Sequence, residues 1–208
     1  MNSVRGRPRS FDTETALDAA TQVFWRHGFQ GASMAELTAA TGLSKPSLYA
    51  AFGDKEALYL HCLRRYGEQQ VVVQTELLEK EADARRAIEG FMRAMAQLQT
   101  DPALPSGCFI VNGTADCGGT TMPPAVDAAL RSVSGGTERR LLQRLKRAER
   151  EGQLPAPLTA EHLAALYTSV LTGMSVMAKS GQPRRKLDEV VTAALSVWPA
   201  AGKRATAT

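Results

Sequence analysis

The sequence predicts an all-α fold: an N-terminal three-helix unit containing a helix-turn-helix, joined to a larger helical domain. Three observations carry this. Residues 33–52, SMAELTAATGLSKPSLYAAF, read as two short helices joined by a glycine turn. Capped, glycine-stopped helices flank that pair on both sides. Two broad apolar stripes at helical spacing, over 163–177 and 187–198, close the chain as consecutive amphipathic helices.

Taken in order, residues 1–10 place Arg5, Arg7 and Arg9 at alternate positions among Gly6 and Pro8, which excludes a helix. Such an arm suits phosphate neutralisation or entry into a narrow minor groove; the alternative is a solvated tail. The helix over 12–27 carries Ala16, Leu17, Ala20, Val23 and Phe24 on one face, leaves Trp25 off that stripe, and stops at Gly28. Ser33 and Glu36 form an S-x-x-E capping box, in which each side chain satisfies a backbone N–H at the other residue. Leu37 and Ala40 are spaced to face inward, and Gly42 ends this helix because glycine takes positive φ without steric cost. Ser44 caps the second helix, Pro46 fits its first turn, and Leu48, Tyr49 and Phe52 give it an apolar side. Pairs of this plan set their second helix in a DNA major groove, although turn-linked helices also occur as plain packing units.

Gly53 and Asp54 stop the pair and cap a long helix over 55–80. The helix over 83–100 turns Ala84, Ile88, Phe91, Met92 and Met95 inward, and 101–107 (DPALPSG) breaks the chain. A short apolar helix follows within 108–119. Pro123-Pro124 open a helix to 151 that Ser134-Gly135-Gly136 weaken, with a strongly basic half over 138–150 that reads as a solvated face or a second DNA contact. Thr159 caps the first terminal helix and Leu158 staples to Leu163; Gly181-Gln182-Pro183 turn into the last. The divisions are therefore an arm (1–10), a helix-turn-helix domain (11–54), a helical domain (55–200) and a tail (201–208).

Composition bounds the function. At 44% hydrophobic residues the chain supports a real core. A net charge of +4 fits a nucleic-acid partner, but residues 1–70 hold eight Lys or Arg against seven Asp or Glu, so positive charge must be placed rather than abundant. No apolar run approaches ~20 residues and no signal peptide opens the chain, so a soluble cytoplasmic protein with no membrane partner is expected. Three cysteines without a C-x-x-C pair argue for reduced thiols. No P-loop, G-x-S-x-G or H-E-x-x-H is present, and His27, His61 and His162 lie far apart in sequence. An enzyme is not expected, nor a cofactor or metal site; a helical binding protein without a DNA target is the remaining alternative.

Residues 11–58 resemble the N-terminal DNA-binding domain of the TetR family of bacterial repressors. Ala20, Phe24, Gly28, Ser33, Leu37, Gly42 and Ser44 match, as does the signature L-Y-x-x-F-x-x-K-E-x-L over Leu48, Tyr49, Phe52, Lys55, Glu56 and Leu58. The resemblance implies a DNA-binding repressor acting on a palindromic operator as a homodimer and released by an inducer sensed in the C-terminal domain. It implies that Lys45, Pro46 and Ser47 face base edges, that Tyr49 and Lys55 meet phosphates, and that Ser33, Met34, Ser44 and Leu48 belong to the same surface. It places an effector pocket between the middle helices, with Phe91, Met92, Met95, Cys108, Phe109, Asn112, Met122, Tyr167 and Met174 as candidate lining; the alternative for each is core packing. It also favours a four-helix dimer interface from Leu163, Leu166, Val170, Met174, Leu187, Val190, Val191, Ala194, Leu195 and Trp198, where an intramolecular core is the alternative.

Within the family, the segment Gly107-Cys108-Phe109-Ile110 resembles that of electrophile- and oxidant-sensing members, where the cysteine is the sensor. A helix N-terminus would favour its thiolate, and Cys117 could resolve a sulfenate, although nine helical residues span about 13.5 Å, so that a disulfide needs the helix broken between them. The chain also looks like copper-responsive members, for which Cys62, Cys108, Cys117 and seven methionines are available soft ligands. A small buried apolar role for Cys108, or an ordinary organic inducer, remains open beside these.

Overall fold

A computed structural model describes residues 12–199; the arm with Arg5, Arg7 and Arg9 and the tail at 201–208 lie outside the described residues. Among these the chain forms α1 (Thr13–Gly31), α2 (Met34–Thr41), α3 (Lys45–Phe52), α4 (Lys55–Glu79), α5 (Ala84–Gln99), α6 (Phe109–Thr114), α7 (Pro124–Ser134), α8 (Gly136–Arg150), α9 (Ala160–Lys179) and α10 (Arg184–Ala194), then a 3-10 turn (Leu195–Val197). Local chemistry sets most of the starts. Asp54 accepts from Ala57 N at 2.8 Å, Asp83 from Arg86 N at 2.8 Å, and Thr159 from His162 N at 3.3 Å. Gly28, at φ 72°, interrupts α1 where the sequence ends it, and a last short turn carries on to Gly31. The weak point at residues 134–136 is a real break between α7 and α8.

Two apolar clusters hold the helices. The first joins Leu17, Ala20, Phe24, Trp25, Leu37, Leu48 and Phe52 of the head to Tyr59, Cys62 and Tyr66 of α4. Phe109, Met122, Val126 and Leu130, from α6, α7 and the loop between them, complete that same cluster. The expected division at 54/55 thus falls inside one continuous apolar core. The second cluster packs α5, α8, α9 and α10 around Ile88, Phe91, Met92, Leu145, Tyr167, Met174 and Leu187, with Leu78 from the far end of α4. The long helix α4 therefore belongs to both cores.

Two expectations change, for Ala40 and for the basic half of α8. Ala40 is exposed, because Leu37 alone fills the inward side of the eight-residue α2. Trp25, off the main stripe of α1, packs on the neighbouring α4, buried against Tyr66 with ring centroids 5.2 Å apart. The basic half of α8 is not wholly a solvated face: Arg144 is 1% exposed. Its guanidinium donates to Leu78 O at 3.0 Å, Glu81 O at 3.1 Å and Ala82 O at 3.0 Å, the carbonyls where α4 ends. Leu78 O belongs to the last turn of α4, at the negative end of the helix dipole, and Glu81 O and Ala82 O belong to the loop just beyond it, so a cation placed there satisfies carbonyls that have no helical donor.

Candidate nucleic-acid interface and ligand cavity

The reading head is built by its caps. Ser33 N donates to Glu36 Oε2 at 2.8 Å while Glu36 N donates to Ser33 Oγ at 3.1 Å, closing the capping box that the sequence predicts. Gly42 sits at φ 69°, and Ser47 N donates to Ser44 Oγ at 3.2 Å to start α3. Leu48 and Phe52 then anchor α3 inward, so that Lys45, Pro46, Ser47 and Tyr49 project outward. Leu48 is 1% exposed and offers no surface to DNA; it is the anchor of the reading helix rather than a contact. Tyr49 is 40% exposed and does not pack in the core, and the Lys45 ammonium lies 5.6 Å from its ring centroid. Ser33 and Ser44 are exposed at the two helix starts, and Met34 is half-buried.

Lys55 is more constrained than its sequence context suggests. Its ammonium lies 4.9 Å from the Phe29 ring centroid and donates to Gln30 O at 3.4 Å. Partial burial pulls its pKa down, and Glu36 opposes that. Two N–H donors remain for a phosphate.

Behind the head, α4, α5, α6, α7, α8 and α9 enclose a cavity of about 460 Å³. Of the candidate lining residues only Met95 and Cys108 reach it. Phe91, Met92, Tyr167 and Met174 are spent in the second core, and Phe109 and Met122 in the first. Asn112 instead donates to Ser106 O at 3.3 Å and braces the loop. These stripes do face inward, toward packed neighbours in the main rather than toward the void. The sequence reading missed the polar lining: Gln74, Gln99, Arg140 and Thr168. Gln99, four residues after Met95 on an otherwise apolar face, was the readable signal.

The cavity meets the head through Tyr66, which lines it and packs on Trp25, and through Phe109 just behind the wall. Phe109 sits edge-on to Tyr59 (centroids 5.3 Å apart) and Tyr66 (5.6 Å), and 6.5 Å from Trp25 of α1. Cys108 beside it is half-buried; Tyr66 Oη donates to its Sγ at 3.5 Å, and its N–H donates to Ser175 Oγ at 2.8 Å. The helix it opens has only six residues, so few peptide dipoles add up behind the thiol. That helix ends at Thr114, which supplies the break a Cys108–Cys117 link would require. Cys62 is fully buried, its thiol pushed up to about 12 mainly by desolvation, which takes it out of any accessible ligand set.

The predicted dimer residues divide. Leu163, Met174, Leu187, Val191, Leu195 and Trp198 are buried inside the chain's own second core and cannot face a partner. Leu166, Val170, Val190 and Ala194 are half-buried. The outer side of α9 instead shows Ala165, Ser169, Gly173 and Val176, the last 59% exposed. No helix among the described residues is long and apolar enough to cross a membrane.

Comparison with known proteins agrees with this architecture. Residues 16–62 match the profile of bacterial regulatory proteins of the tetR family, and residues 84–194 that of the tetracyclin repressor-like C-terminal domain. The chain is 34% identical to the HTH-type transcriptional repressor ComR of Escherichia coli K12, over 94% of this chain and 92% of that one. It is 27% identical to the repressor BdcR of the same organism, over 90% and 89%. Among solved structures it resembles a cysteine mutant of the TetR family regulator CifR in complex with 26-base-pair double-strand operator DNA. That likeness has 39% identity and a TM-score of 0.83, and covers 93% of this chain and 100% of that one. The capped reading head, the all-helical body behind it and these matches over nearly the whole length lead to one conclusion: the chain belongs to the TetR family of bacterial regulatory proteins.

Proposed function

We infer that the chain is a one-component transcriptional repressor, a homodimer that binds a palindromic operator and is released when an inducer occupies the cavity behind the head. One observation carries this: the outward face of α3, with Lys45, Pro46, Ser47 and Tyr49 free of the core, in a chain 39% identical to a regulator solved on operator DNA. Lys45 suits guanine O6 or N7, Ser47 several bases, and Pro46 a thymine methyl. The eight residues of α3 cover too few bases for useful specificity, so two copies are required, about 34–36 Å apart on successive major grooves. They meet through the outer faces of α9 and α10, around Ser169, Gly173, Val176 and Val190. An inducer works through its different affinity for the two head spacings. The wedge of Phe109 between α4 and α1 transmits the change. The protein is no enzyme, and its place of action is the cytoplasm, where its DNA is.

Fluorescence anisotropy with labelled DNA from upstream of its own gene tests this. Specific binding should exceed binding to random DNA of equal length by about a thousandfold or more and weaken steeply with salt. Equal affinity for both would refute the repressor reading in favour of a helical binding protein.

A second reading has its own observation. Cys108 lies in the cavity wall, hydrogen-bonded by Tyr66 and adjacent to Phe109, so that adding bulk or charge to its sulfur would press on the same ring. Release of the wild type but not of Cys108→Ser by a mild oxidant or an electrophile would support it; release of both would end it. The Cu(I) variant has less behind it, since Cys62 is sealed and no group of three His, Cys, Asp or Glu side chains able to hold a metal occurs among the described residues.

A further inference from the structure

We propose that the cavity is built for an apolar organic acid, its carboxylate held by Arg140 beside the start of α8 and its body lying along the α4–α5–α9 wall. This rests on the reading of the cavity as the inducer site and names the class of molecule that fits it.

Arg140 lines the cavity and is half-buried. Its Nε donates to Gln74 Oε1 at 2.8 Å, and Thr137 Oγ1 donates to the same oxygen at 3.2 Å. Gln74 is itself 5% exposed, so the guanidinium plane is fixed before any ligand arrives. Several other arginines, by contrast, are paired with acids: Arg65 with Asp18, Arg93 with Glu89, Arg131 with Asp127, Arg147 with Glu79. Among the described residues no carboxylate lies within ion-pairing distance of Arg140, although desolvation and the neighbouring Arg139 both work against its charge. A fixed, partly desolvated guanidinium with both amino groups clear of any acid is suited to a bidentate carboxylate.

The start of α8 lies beside it: α8 begins at Gly136 without a side-chain cap, and Gly136 and Thr137 both line the cavity. On another wall, Gln99 is 6% exposed with Oε1 unpartnered, and Thr168 Oγ1 is likewise buried and unpartnered. Both residues line the void of about 460 Å³, within the ~300–1,000 Å³ of small-molecule sites, and give that wall a polar character. The lining includes three arginines, Arg64, Arg139 and Arg140, against one acid, Glu68, which disfavours a cationic ligand. The apolar remainder, including Leu60, Leu63, Met95 and Leu171, suits one charge rather than several.

Calorimetric titration of the full-length protein with decanoate and 4-phenylbutanoate, each beside its uncharged amide, tests this in wild type, Arg140→Gln and Arg140→Lys. At least one acid should bind wild type about tenfold or more tighter than its amide, the size of one charge-assisted contact. Arg140→Gln should bring acid and amide within about threefold of each other, and Arg140→Lys, which keeps the charge but not the fork, should retain part of the preference. An unchanged urea unfolding midpoint of each variant is the control for folding. Equal affinity for acid and amide in wild type, no binding of either acid, or an undiminished preference in Arg140→Gln would each overturn the proposal. Operator titration of the unliganded protein separates the two claims: lost operator binding with an intact acid preference sinks only the repressor reading, and the reverse sinks only this one.

Discussion

Replacing Arg144 by methionine isolates what a buried cation does at the end of α4. The side chain is 1% exposed and gives three hydrogen bonds of 3.0–3.1 Å to Leu78 O, Glu81 O and Ala82 O. Methionine fills similar volume but strands three carbonyls, each worth about 1–3 kcal/mol when left buried and unpaired. Against that stands relief of the cation's own desolvation, which is several kcal/mol. Desolvation is also the main influence lowering its pKa, with Arg147 adding to it and Glu79 opposing it. The balance predicts a net loss of about 3 kcal/mol for Arg144→Met. Arg144→Lys, with one ammonium for three acceptors, should lose roughly half as much. Equilibrium urea unfolding at fixed protein concentration reads this directly, and for a chain of this length ~3 kcal/mol corresponds to a fall in Tm of about 6–12 °C. An Arg144→Met protein as stable as the parent would show that the carbonyls find other donors and that the arginine is not what fastens α4.

The other predictions concern the head and its connection. Phe109→Leu gives up three ring contacts of about 0.5–1.5 kcal/mol each, so stability should fall by about 2–3 kcal/mol. Operator affinity should change little, while release by a ligand that works on wild type should weaken; an unchanged release response would make Phe109 mere packing. Lys45→Ala should cost about 1–3 kcal/mol on the specific operator and far less on random DNA, whereas Lys55→Ala should act alike on both and reduce the salt slope by about one; equal losses for both variants on both DNAs would overturn the assignment of roles. Ser33→Ala should cost about 0.5–2 kcal/mol through the lost cap of α2. The Glu36 carboxyl is held below its ordinary 4.5 mainly by the Ser33 N–H and hydroxyl. Its contribution is therefore complete above pH 4.5 and disappears as pH falls through its lowered folded value. Amide exchange in α2 that stayed equally slow from neutral to pH 3 would contradict this.

The head was legible because its determinants are local. Ser33 with Glu36, Gly42, Ser44 and Asp54 each fix a boundary from within three or four residues, and the structure has those bonds. The cavity was not legible because it is decided by residues 60 to 100 positions apart: Gln74 meets Arg140 across 66 residues, and nothing near either one announces it. The methionine and aromatic stripes predicted helix faces but not whether a neighbour fills the space opposite, so Phe91 and Tyr167 proved to be packing while Met95 reached the void. The two terminal stripes divide for the same reason. Leu187 and Val191 point into the chain's own core, and the outward side of α9 is made of small residues that carry little hydrophobic signal.

The sharing of side chains between head and body limits how such a protein can be recombined. Phe109, Val126 and Leu130 lie some fifty or more positions beyond the helix-turn-helix, yet they close its core. A head excised at residue 54, or grafted onto another regulator's body, would leave Trp25 and Phe29 without the far side of their pocket. The exchangeable unit is then not a stretch of sequence but a discontinuous one, α1 to the first turns of α4 together with α6 and α7. New operator specificity would be reached more readily by changing the outward residues of α3 in place than by trading whole heads between relatives.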